Sequence, residues 1–314
     1  MIVRPDPDAL MAGGLGNWLA AQNTARADAR ERAASWVKRG IIAAVAVTGA
    51  IILFGGDIGT AFQFGFFTGL AGFGIAELIK RPVIDSIKGG INGAIARALD
   101  MEFTHVVTPG AEFETVRAFD MLPSHDRASF EDCWRGSVMD RSFLLYEAEL
   151  EDKRSSGKSD RWVTVFQGSI IQVEFARKFL GVTLIERAGR RKRLFGLLGD
   201  ADTVKLGGID MARIDMVDPR FEDEFAVWSN DQVEARYLVH PEYIERLIAV
   251  EQAFAGENIR ALFSGGSLLV VLESGNLFES GSLDASDDRR LLERSIEQFG
   301  TLADLAVRLN ERPR

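Results

Sequence analysis

The sequence predicts an α+β fold, with an N-terminal two-helix transmembrane hairpin followed by a mainly antiparallel sheet packed with helices. Three observations carry that expectation. Between Gly40 and Ile79 two apolar runs, IIAAVAVTGAIILF and AFQFGFFTGLAGFGIAELI, are separated only by Gly55-Gly56-Asp57-Ile58-Gly59-Thr60. From Asp132 onward, alternating β-branched and aromatic residues are broken by short polar turns, the pattern of antiparallel strands. Helical 3–4 spacing returns in Pro241 to Ala255 and in Asp287 to Asn310, so helices are mixed into the sheet. The chain divides accordingly into an N-terminal cytoplasmic helix (1–39), the hairpin (40–80) and a cytoplasmic α+β domain (81–314).

Each apolar run would form a helix of about 25–28 Å, slightly short of the ~30 Å hydrocarbon core. The apolar residues run around the whole helix instead of along one stripe, which favours lipid over a soluble core. Gly65, Gly69, Gly72 and Ala76 share one face of the second arm, and Ala44, Ala46, Thr48 and Ala50 could supply the matching face on the first. Arg26, Arg30, Arg32, Lys38 and Arg39 precede the hairpin, Lys80, Arg81 and Lys88 follow it, and the turn carries only Asp57. By the positive-inside rule both ends, and the domain that follows, face the cytoplasm. The competing reading is a helical hairpin buried in a soluble core.

Further elements follow in order. Residues 9–39 read as a mixed helix, and Val83 to Leu99 as a helix with one buried face after Pro82. Glu112 to Met121 is a short helix ended by Leu122-Pro123. Strands are expected in WRGSVMD, in RSFLLYEAELED, and across the polar turn KRSSGKSD in RWVTVFQGSIIQVEF. More follow in GVTLIE, Met211 to Val217, Phe221 to Trp228, NIRALFS and SLLVVLES. Ser264-Gly265-Gly266-Ser267 reads as the turn joining the last two.

Composition narrows the function. The 314 residues carry 37 basic and 46 acidic side chains, a net charge of −9, which argues against nucleic acid as the ligand. A single cysteine, Cys133, excludes an internal disulfide framework and fits a reducing compartment. The start lacks a basic segment followed by an apolar core, so no secretory signal is read there.

No chemistry-bearing motif emerges. His105, His125 and His240 are far apart and none has a paired metal-ligand spacing, so no metal site is expected. No partner base is nominated for Cys133, and the glycine-rich pieces AGGLGN, KGGING and SGGS match neither a phosphate-binding loop nor a dinucleotide fingerprint. No catalytic residue and no cofactor follow. Glu147, Glu149 and Glu151 alternate on one strand face, which could bind a cation or, more simply, be a solvated face. Arg187, Arg190, Arg191, Lys192 and Arg193, followed by Leu194 and Phe195, form a basic loop suited to an anionic leaflet, or else a solvated hairpin tip.

The block VDPRFEDEFAVWSNDQVEARYLVHPEYIERLIAVEQAF contains Phe221, Phe225, Val227, Ser229 and Asp231, then Glu234-Ala235-Arg236-Tyr237 and a proline-led helix. Together with the upstream FQGSIIQVEF and the hairpin, it resembles the bacterial membrane-protein family catalogued as domain of unknown function 3137. The family's usual threonine before the helix proline is His240 here. The resemblance extends over most of the chain after residue 80. It implies a multi-pass bacterial inner-membrane protein without an assigned activity, and co-occurrence with LemA-like membrane proteins. Asp231, Glu234 and Arg236 fall in its specific block and are the leading partner-surface candidates, against the simpler reading of a helix cap with a structural ion pair.

The expected function is a non-enzymatic interaction or scaffold module at the cytoplasmic face. Its partners would be the lipid bilayer and another membrane protein, LemA-like or a second copy, but not nucleic acid. The alternative is a membrane-bound hydrolase or lipid-modifying enzyme with His240 and Asp231 in its site.

Overall fold

The computed structural model describes the chain except residues 1–3, 139, 156–159, 176–177, 192–201, 217–218, 255 and 311–314. The described residues carry two long apolar helices, then a ten-stranded antiparallel sheet with helices, an α+β architecture. They divide into two compact units. One comprises Pro5–Ile95 with Glu279–Ser295, and the other Met1–Arg4, Ala96–Phe278 and Ile296–Arg314.

The first unit opens with α1 (Pro7–Ala12) and α2 (Gly14–Ala21). Asp6 caps α1 by accepting from Asp8 N at 3.0 Å, leaving proline at a position where a missing N–H costs nothing. Next come α3 (Asn23–Leu53) and α4 (Ile58–Ala98), 31 and 41 residues long. The arms read from sequence are therefore the distal halves of two longer helices. Pro82 lies inside α4, and the helix expected from Val83 is the continuation of α4. An interior proline costs about 3 kcal/mol, but the ladder Ile87, Ile91 and Ile95, all fully buried, favours keeping the helix intact. At the turn, Asp57 Oδ2 accepts from Thr60 N at 2.9 Å, so the aspartate starts α4.

Two cations expected at the bilayer edge are engaged elsewhere. Arg26, 2% exposed, makes a two-pronged pair with Asp288 at 2.9 and 2.6 Å, and buried Lys88 Nζ lies 2.7 Å from Glu279. Both partners belong to the 279–295 segment, which the sequence reading left unconnected to the N-terminal helices. Lys38, Arg39 and Arg81 stay exposed at the base of the arms.

The second unit is built on strands β1 (Glu102–Val106), β2 (Arg127–Val138), β3 (Arg141–Ser155), β4 (Asp160–Glu174), β5 (Thr183–Arg187), β6 (Thr203–Leu206), β7 (Ile209–Arg213), β8 (Phe225–Ser229), β9 (Glu257–Ser264) and β10 (Ser267–Glu273). Their order is β1-β2-β3-β4-β10-β9-β5-β8-β7-β6, with neighbours antiparallel. One face carries Tyr146, Leu150, Ile170, Leu184, Trp228, Leu262 and Val271, packed in one cluster with Phe113 and Val116 of α5 (Ala111–Ala118). On the opposite face Trp134 and Phe143 stack on Phe299 of α9 (Asp288–Asn310), at ring separations of 4.7 and 5.9 Å. Tyr243 of α8 (Pro241–Ala253) meets Phe263 at 5.3 Å. Central strands are thus covered on both faces, which is why Leu268–Leu272 reads as an unbroken apolar run.

Local departures from the sequence reading have local causes. The strand expected over 221–228 is the short helix α6 (Pro219–Glu224) followed by β8, because FEDE alternates nothing apolar that a sheet face could bury. The strand expected over 211–217 is β7, two residues earlier and ending at Arg213. The helix α7 (Gln232–Leu238) and the edge strand β1 were not expected; both are too short for periodicity to register.

Candidate functional site

Two residues of the basic loop named by the sequence, Arg190 and Arg191, reach the end of α5. Asp120, at φ 55°, takes the left-handed conformation that ends a helix, and Met121 N returns to Val116 O at 2.9 Å. The carbonyls left over there attract cations, since a helix C-terminus is the negative end of its dipole. Arg190 Nη2 donates to Asp120 O at 2.7 Å, and Arg260 of β9 donates to Met121 O. Arg191 Nη1 lies 3.0 Å from Asp120 Oδ2, and Arg191 Nε donates to Glu186 Oε1 at 2.6 Å. Glu186, 1% exposed at the end of β5, also accepts from Trp228 Nε1 at 2.9 Å. Burial lowers the Arg260 pKa to about 10, and the neighbouring Arg190 charge adds to the effect. At neutral pH the guanidinium therefore remains ionised.

Arg187 lies over the Phe225 ring at 4.4 Å, pairs with Glu224 at 3.0 Å, and donates to the buried Glu251. With Arg190 Nη1 also 3.8 Å from Glu186 Oε2, three of the five cations offered for lipid contact have anionic partners within the domain. Lys192 and Arg193 lie outside the described residues, as do Leu194 and Phe195.

In the family-like block, Asp231 is the N-cap of α7, its Oδ1 accepting from Val233 N and Glu234 N at 3.0 Å each. Glu234 is buried and accepts from Gly181 N at 2.8 Å, tying α7 to the entry of β5. Arg236 is exposed beside Tyr237 and one turn from Val233, which is 82% exposed. Two of these three residues therefore have structural roles, and Arg236 with its apolar neighbours remains at the surface.

The hairpin seam is defined by close approach. A Cβ on Gly72 would lie 2.7 Å from the Gly40 Cα, and one on Gly65 would meet Thr48 Oγ1 at 2.0 Å. Gly69 is looser, with the nearest atom, Ala44 Cβ, at 3.5 Å, and Ala76 is 1% exposed. Gly40 was not singled out from sequence. Its glycine spacing to Gly72 lies across the turn, where only the folded hairpin reveals the pairing.

Among the described residues, no hydrogen bond or ion pair joins His240 to Asp231. The His240 ring meets Tyr243 edge-on at 6.3 Å, and burial lowers its pKa. His125 Nδ1 lies 3.0 Å from Pro123 O. Cys133 is buried, and burial raises its pKa, so it is held as a thiol.

The arrangement defines a class: an antiparallel α+β domain carried on a chain with an exposed apolar helical hairpin. Residues 164–311 match the model of a family described as protein of unknown function (DUF3137), and the chain resembles that family. The match begins well inside the domain, later than the residue-80 start expected from the sequence. No curated protein matches the chain. Among solved structures, the crystal structure of the mycobacterial trehalose monomycolate transport factor A, TtfA, aligns at 10% identity over 72% of this chain and 98% of that one. Its TM-score is 0.33, at which the likeness carries no argument.

Proposed function

We propose that the protein is a membrane-anchored, non-enzymatic interaction module, held by its helical hairpin at the cytoplasmic face of a bacterial inner membrane. The observation that carries this reading is the exposure of the two apolar helices. Of their most apolar stretches only 6% and 17% are buried, where a core helix of a soluble protein would be mostly covered. Ile42, Val45, Phe62, Phe66, Phe67 and Leu78 are each more than half exposed. An apolar surface of that extent is tolerable only against lipid or protein. Exposed Lys38, Arg39 and Arg81 at the base of the arms, against Asp57 at the tip, support a topology with both ends cytoplasmic.

Within this reading, lipid contact by the basic loop rests on Lys192 and Arg193, because Arg187, Arg190 and Arg191 are each paired with carboxylates of the domain. The protein partner, a LemA-like membrane protein or a second copy, would dock on the surface around Arg236 and Val233. The test of topology is labelling of single cysteines in a Cys133→Ser background. Gly56→Cys should react with a membrane-impermeant maleimide in intact cells, and Arg236→Cys only after lysis. The reverse pattern would turn the topology over, and labelling of neither before detergent would place the tip within the bilayer.

A further inference from the structure

We propose that His105, Glu131 and Asp132 form a binding site for a divalent transition-metal cation of the zinc type at the β1–β2 edge of the sheet. Two consecutive strand residues normally point to opposite faces, so Glu131 and Asp132 would not be expected to share a ligand. A bulge changes that. Glu131 lies opposite Glu147 and Trp134 opposite Leu145, so β2 spends three residues where β3 spends two. Asp132 takes φ 55°, a conformation aspartate tolerates better than most residues. On the other side, β1 pairs Thr104 with Cys133 and Val106 with Glu131, which sets His105 opposite Asp132.

The result is a mixed nitrogen and oxygen donor set. One ligand atom from each of the three side chains lies within 4.8 Å of the others, and His105 Nδ1 is 2.9 Å from Asp132 Oδ1. Ligand atoms around a tetrahedral zinc at ~2.1 Å stand about 3.4 Å apart, so small side-chain rotations close the set. Asp132 is fully buried, whereas His105 is about one-third exposed, giving the ion a buried floor and an open side for water. Imidazole with two carboxylates suits zinc or manganese; the absence of a thiolate disfavours copper(I). His105 and the 131–132 pair are far apart in the chain and are brought together only by strand pairing.

The test is zinc binding by the detergent-solubilised full chain, measured by competition with a chromophoric chelator, with folding checked by circular dichroism. One zinc per chain is expected. His105→Gln and Glu131→Gln should each weaken binding by about tenfold or more, in line with loss of a metal ligand, and both substitutions fall at positions that remain partly exposed. His125→Gln should leave binding unchanged. A chain that binds no zinc, or His105→Gln and Glu131→Gln variants that bind as tightly as the unsubstituted chain, would overturn the assignment. Loss of binding in His125→Gln with retention in His105→Gln would do the same.

Discussion

At the scale of single residues, buried charge decides more than the sequence suggests. Glu186 is covered by protein and holds both Arg191 and the Trp228 indole. Glu186→Gln should destabilise the chain by about 1–3 kcal/mol, since Arg191 then keeps only Asp120 as a counter-charge, read as a lower midpoint in chemical denaturation. Asp231→Ala removes the cap of α7 and should cost about 1 kcal/mol in the same measurement. His240 gives a pH signature. Burial holds its folded pKa below the ordinary 6.5, so the unfolded chain binds the proton more readily. Its contribution is therefore complete above that value and is lost as the pH falls through the folded pKa. Replacing it by glutamine should reduce the drop in melting temperature between neutral pH and about pH 5.5. The basic residues of 187–193 could be read as a patch from the sequence, but not their destinations. Asp120 follows α5 and Glu251 lies in α8, far from the arginines in sequence, and only the fold brings them together.

At the scale of elements, the long apolar and long periodic segments were legible and the short ones were not. The β3–β4 ribbon, α8 and α9 each bury enough patterned surface to impose a period on the sequence, and the hairpin shows instead as two long unbroken apolar runs. By contrast β1, α6 and α7 are five to seven residues long, held by neighbours instead of by propensity. Pro82 is tolerated inside α4 for a related reason, since the local penalty is outweighed by buried isoleucines a turn or more away. The hairpin seam yields a graded prediction. Gly72→Ala forces a methyl group into the Gly40 backbone and should cost about 1–3 kcal/mol as overpacking. Gly69→Ala adds a methyl at ordinary contact distance and should be nearly neutral. Thermal unfolding of both variants in the same detergent separates them; equal losses would mean that the arms do not pack as described.

At the scale of the whole molecule, the chain combines a domain whose core is closed on both sheet faces with a hairpin whose apolar side chains remain open. An apolar groove of about 640 Å³ between the arms, lined by residues such as Ile41, Val45, Phe62 and Phe66, belongs to that open surface. In water such a surface would drive aggregation; in a bilayer it is the solvated state. The fold class was readable because bilayer and sheet impose different apolar patterns. The biochemical activity was not, because Asp231 and Glu234 of the family-like block cap α7 and latch it to the entry of β5. The measurement that tests the central claim most directly is alkaline carbonate extraction, with density flotation, of membranes from cells making the full chain. The hairpin predicts that the protein stays with the floating membrane pellet. Release into the soluble fraction would contradict it.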